Sequence, residues 1–160
     1  MKLNFLFPNE FKKIGWIILI PSAIIGLVTL IYNYEPTFLD FNVPAIFIDK
    51  FSLSDEKQLF GTVSNNILNE ILGILIIISS LLVAFSKENV EDEYISKIRL
   101  ESLVWAVYFN YGILIFSFLL IYDFSFLWVM IFNMFTVLLF FIIRFNWQIS
   151  KLKISAYHEE

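Results

Sequence analysis

Three groups of residues in this sequence have side chains and spacing that could do chemistry. The first is Glu91, Asp92 and Glu93 with Lys97, Arg99 and Glu101, a mixed-charge run between two long apolar stretches. Three consecutive carboxylates suggest a cation site, but successive helical residues point about 100° apart, so they make poor joint ligands. Glu93–Lys97 and Lys97–Glu101 stand at i,i+4, which reads either as a solvated, capped helix start or as a patterned surface for docking a cytoplasmic protein partner. The second group is Ser80, Asn110 and Thr136, isolated polar residues within apolar stretches. They could line a substrate or ion path, or tie neighbouring helices together by hydrogen bonds. The third is Glu70, a lone acid near the start of an apolar stretch; an acid inside a bilayer is a functional candidate by default. Here Asn66 and Asn69 stand beside it, the setting of an interfacial helix end.

Much other chemistry is excluded. With no cysteine there is no thiol nucleophile, thiolate metal site or disulfide exchange. The one histidine, His158, stands among Tyr157, Glu159 and Glu160 and reads as a solvated tail residue. No Ser-His pair, His-rich cluster or Gly-rich phosphate loop is found, so we expect no catalytic residue, no metal and no cofactor. A formal net charge of −4 argues against a nucleic-acid partner.

The elements that must position these residues follow from hydropathy. At 59% hydrophobic, 19% aromatic and 16% charged, the 160-residue chain is too apolar for a soluble domain. Its charges are bunched, leaving four apolar stretches at about 14–32, 67–85, 103–122 and 126–143. Each suits a helix crossing a bilayer core of roughly 30 Å. At about 1.5 Å per residue, Ser80, Asn110 and Thr136 fall at similar depth, roughly 10–14 Å from one face. Only about 22 Å of uncharged helix follows Glu70, which places that acid at or just inside the opposite interface. Trp16, Tyr32, Trp105, Trp128 and Trp147 lie near span ends, as an interfacial aromatic belt does.

Orientation follows from the basic residues. Lys2, Lys12 and Lys13 precede the first span; Lys87, Lys97 and Arg99 separate the second and third; Arg144, Lys151 and Lys153 follow the fourth. Under four spans all three segments share one side, so both termini are expected to be cytoplasmic. The first span lacks a small-residue cleavage site and is read as a retained anchor. Pro8 is read as opening a short interfacial helix. The expected fold is thus an all-α, N-in/C-in membrane protein forming a single four-helix domain over 1–160.

Two segments connect these spans. The external loop, 33–66, reads as a small ordered cap in which a short β-hairpin can form. Phe38–Val43 alternates like a strand, Pro44 is expected to break it, and Ser54 with Asp55, Glu56 and Lys57 reads as a helix start. The cytoplasmic segment, 86–102, reads as an amphipathic helix capped by Asn89, lying along the interface or extending the third span.

Several stretches are familiar together: Phe11-Lys12-Lys13-Ile14-Gly15-Trp16, Ala84-Phe85-Ser86-Lys87-Glu88, Arg99-Leu100-Glu101-Ser102-Leu103 and Asn133-Met134-Phe135-Thr136. With them the chain resembles a family of small four-span membrane proteins from Bacteroidota-type bacteria that has no assigned activity. The resemblance covers most of the chain outside the external loop and implies the bacterial inner membrane. The expected function is a non-enzymatic accessory or regulatory subunit, surrounded by membrane lipids and acting through a protein partner or a homo-oligomer. The alternative is a small oligomeric transporter or channel component.

Overall fold

The computed structural model describes residues 5–49 and 57–158. Four helices, α1 (Glu10–Tyr32), α2 (Leu68–Ala84), α3 (Glu93–Leu120) and α4 (Phe124–His158), carry the chain, and two strands, β1 (Asp40–Asp49) and β2 (Lys57–Asn66), lie between α1 and α2. Residues group into two compact units, Pro21–Leu75 and the pair of segments Met1–Ile20 and Ile76–Glu160.

Three helices are long and apolar enough to cross a membrane: α1, α3 and the Phe124–Ser155 part of α4. The stretch expected at 67–85 forms a helix of 17 residues, about 25 Å long and short of the bilayer core. Both of its ends are held by other partners. Before it, the Ile67 amide donates to the Leu39 carbonyl at 3.1 Å, and the Asn66 amide group donates to the Pro36 carbonyl at 2.8 Å and to Asp40 at 2.7 Å. After it, Phe7 donates to the Phe85 carbonyl and accepts from the Lys87 amide, both at 2.9 Å. Backbone groups spent there cannot extend the helix.

The other helices run longer than their apolar stretches. α1 starts at Glu10, so Pro8 lies outside it, and it contains Pro21. α3 absorbs most of the expected amphipathic segment as a direct extension of the third span. Asp92 rather than Asn89 caps it, its carboxylate accepting the Ile95 amide at 2.7 Å. α4 continues through Arg144 to His158. Residues 121–123 turn between α3 and α4, with Asp123 at φ 59°. A short polar side chain tolerates that left-handed conformation. Asn33, at φ 47°, ends α1 the same way while the Tyr34 amide reaches back to the Thr29 carbonyl at 3.1 Å.

In the Pro21–Leu75 unit, β1 and β2 pair antiparallel from Asp40 opposite Asn66 to Asp49 opposite Lys57. Pro44 does not break the first strand; it lies inside β1 opposite Thr62. A two-stranded sheet leaves one edge of every strand unpaired, where a missing N–H costs no ladder bond. Lys57 opens β2 rather than a helix, and Ser54, Asp55 and Glu56 lie outside the described residues.

In the other unit, α3 and α4 form an antiparallel hairpin. From the turn outward, Phe118 meets Phe126, Asn110 meets Thr136, Phe109 meets Phe140 and Trp105 meets Arg144. The core is Leu19, Val83, Ala84, Ile98, Ala106, Phe141, Ile142, Phe145 and Ile149. Polarity is inverted relative to a soluble protein. The buried stripe of α3 is Ile98, Arg99, Ser102, Ala106, Asn110 and Ser117, while Leu100, Tyr108, Ile115, Phe116 and Leu119 are exposed. In water that arrangement wastes apolar surface. In lipid it is favoured, because small and polar side chains are what hold membrane helices together.

Candidate functional site

The most connected polar site lies at the end of α2, where residues 85–92 cross between helices. Glu91 and Arg99 are its centre. The Arg99 guanidinium donates to both Glu91 carboxylate oxygens, at 2.5 and 3.3 Å, and to the Ser86 carbonyl at 3.2 Å. Glu91 also accepts the Glu88 amide at 2.9 Å, which folds the segment back over the first turns of α3. That return leaves Asp92 to begin the helix.

The same segment is tied to the N-terminus. Lys12 of α1 forms an ion pair and hydrogen bond with Glu88, and the Asn9 side chain donates to the Lys87 carbonyl at 2.7 Å. Phe145 of α4 is fully buried beneath these cations. The Arg99 guanidinium lies 4.9 Å from its ring centre and the Lys12 ammonium 5.7 Å. A desolvated aromatic face stabilises a cation by about 2 kcal/mol. Phe85 stacks on Phe141, and Phe141 on Phe145, completing the apolar floor.

These residues make a clamp. The paired charges neutralise one another and join α1, α3, α4 and the 85–92 segment. Among the described residues no group of three or more His, Asp or Glu side chains could hold a metal ion.

The six docking candidates therefore divide. Arg99 is 4% exposed and faces inward, while Glu91 is bound to it and stays partly exposed. Asp92, Glu93, Lys97 and Glu101 are exposed, with Lys97 and Glu101 facing one another at 3.9 Å. Lys12, Glu88 and Phe145 meet through contacts far apart in the chain, and no local spacing points to that pairing.

Of the intramembrane candidates, Asn110 and Thr136 are brought together: the Thr136 hydroxyl donates to the Asn110 carbonyl oxygen. Ser80 is buried with its hydroxyl unpaired, so no hydrogen bond from that hydroxyl joins it to the pair. The Asn110 amide nitrogen and the Ser102 hydroxyl are likewise buried without a partner. Glu70 is exposed in the first turn of α2, accepting from the Asn65 side chain at 2.6 Å. The chain matches no known family model, no curated protein and no solved structure.

Proposed function

We propose that this protein is a four-span integral membrane protein of the bacterial inner membrane, with both termini cytoplasmic, that acts as a non-enzymatic accessory or regulatory subunit. One observation carries the reading: the charges buried in the clamp are consumed in pairs that fasten helices to one another. Such a site holds a shape; it does not turn over a substrate. Beside it, Lys97 and Glu101 form an exposed face on α3, adjoining the clamp and available to a protein partner. The basic segments flanking the helices support the orientation, and the short α2 can cross if the bilayer thins locally around it.

Extraction of the native protein in mild detergent, followed by cross-linking, tests this reading. A defined partner or homo-oligomer that is lost when Lys97→Glu and Glu101→Lys are combined is the expected result. A lone protein, indifferent to that reversal, overturns it.

The transporter or channel reading has an observation of its own, the buried and unpaired polar atoms of Ser80, Ser102 and Asn110. An ion or water path needs such groups. Liposome flux that is abolished by Asn110→Ala would establish it, and flux unaffected by both Asn110→Ala and Glu70→Gln would remove these residues from any path.

A further inference from the structure

Outside the clamp, Arg144 is a partly buried cation with no acid partner among the described residues. Arg144 of α4 lies with its guanidinium 4.7 Å from the ring centre of Trp105, and its Nε is buried without a hydrogen-bond partner. Among the described residues no carboxylate pairs with it. One face further along α4 repeats the pattern, with Lys151 only 3.9 Å from the ring centre of Trp147. Glu101, one turn before Trp105 on α3, pairs with Lys97 at 3.9 Å, so Arg144 and Lys151 stand without an acid partner among the described residues.

Trp105 is also the first wall of an apolar groove. Tyr108, Phe109, Gly112 and Ile113 complete it along α3. Its floor exists because residue 112 is glycine: a Cβ built there meets nothing within 4 Å. From Trp105 to Ile113 the groove runs about 12 Å along the helix, close to the depth of one leaflet's hydrocarbon. Arg144 lies about 30 Å along α4 from Phe124, the distance that separates the two interfaces of a bilayer.

We infer that this groove binds an anionic phospholipid, with its phosphate on the Arg144 guanidinium and one acyl chain lying over Gly112 between Tyr108 and Phe109. The charge at one end and the apolar channel leading from it match the two halves of such a molecule. A guanidinium beside an indole keeps a planar fork of N–H donors, the donor set that phosphate oxygens accept. A second protein helix would fill the groove but leave the guanidinium unpaired.

The test uses the full chain with Trp105 as its only tryptophan (Trp16→Phe, Trp128→Phe, Trp147→Phe), reconstituted in phosphatidylcholine bilayers. Phosphatidylglycerol brominated on its acyl chains is titrated in, and quenching of Trp105 is read against brominated phosphatidylcholine. Quenching by the anionic lipid at a lower mole fraction is expected, with Arg144→Gln weakening that preference about fivefold. Gly112→Leu enters open space, folds normally and abolishes the preferential quenching by filling the groove. Equal quenching by both lipids would mean an ordinary lipid annulus and overturn the proposal, as would a preference untouched by Gly112→Leu. Relief of quenching by inorganic phosphate, lost in Arg144→Gln, would place the lipid headgroup on Arg144 and support the proposal.

Discussion

The Arg99 guanidinium grips the Glu91 carboxylate through two hydrogen bonds, although the two residues stand on opposite sides of the helix start at Asp92. Their separation is not a helical neighbour spacing. It exists because Glu91 folds back, held by the Glu88 amide, and because Arg99 points inward toward Phe145.

Breaking this pair from one side leaves a buried cation without its anion. Glu91→Gln is expected to cost about 3 kcal/mol, within the range for severed buried ion pairs. Adding Arg99→Met should recover part of that loss, since an apolar side chain needs no partner. Thermal unfolding in detergent, followed by tryptophan fluorescence, checks both; a double variant no better than Glu91→Gln would show that the charge balance is unimportant.

Two glycines separate close packing from open space. A Cβ on Gly15 would lie 2.7 Å from Val83 Cγ2 and 3.1 Å from both the Ser79 carbonyl oxygen and the Val83 amide nitrogen. The methyl can shift, but the helix backbone cannot, so Gly15→Ala should destabilise by about 1–3 kcal/mol. Gly112→Ala meets no atom and should be neutral or stabilising by up to about 1 kcal/mol through helix propensity. The same unfolding assay compares them.

The Asn110–Thr136 contact is suited to a double-mutant cycle. Asn110→Ala and Thr136→Val should each weaken the hairpin modestly, with a coupling of about 0.6 kcal/mol and no more than about 1.7. Equal stability of all four proteins would assign the contact no structural role and return attention to transport.

Topology has a clean chemical test because the chain has no native cysteine. Ser64→Cys in β2 and Lys87→Cys beyond α2 bracket the 17-residue helix. If α2 crosses, a membrane-impermeant maleimide applied to intact cells labels Ser64→Cys and leaves Lys87→Cys untouched. Labelling of both, or of neither, would give three crossings.

Local chemistry was enough to read several features directly from the chain. Long uncharged stretches announce helices that can cross a membrane, because hydropathy is a property of each segment alone. Alternation from Phe38 allows the hairpin. Axial rise puts Asn110 and Thr136 at one depth, and the fold joins them by a hydrogen bond.

Other features depend on partners that no local pattern reveals. Pro44 sits within a strand because the unpaired edge of a two-stranded sheet forgives a missing N–H. α2 is short because its two flanks are captured, one by Leu39 and Pro36 and the other by Phe7. Arg99 has the appearance of a surface charge in a mixed-charge run, yet it is buried. Its ligands Glu91 and Ser86, its neighbour Phe145 and the Lys12–Glu88 tie come from three places along the chain: the start of α1, the 85–92 segment and α4. Periodicity reports what one segment prefers, whereas the burial of a charge is decided by whichever distant groups meet it and satisfy it.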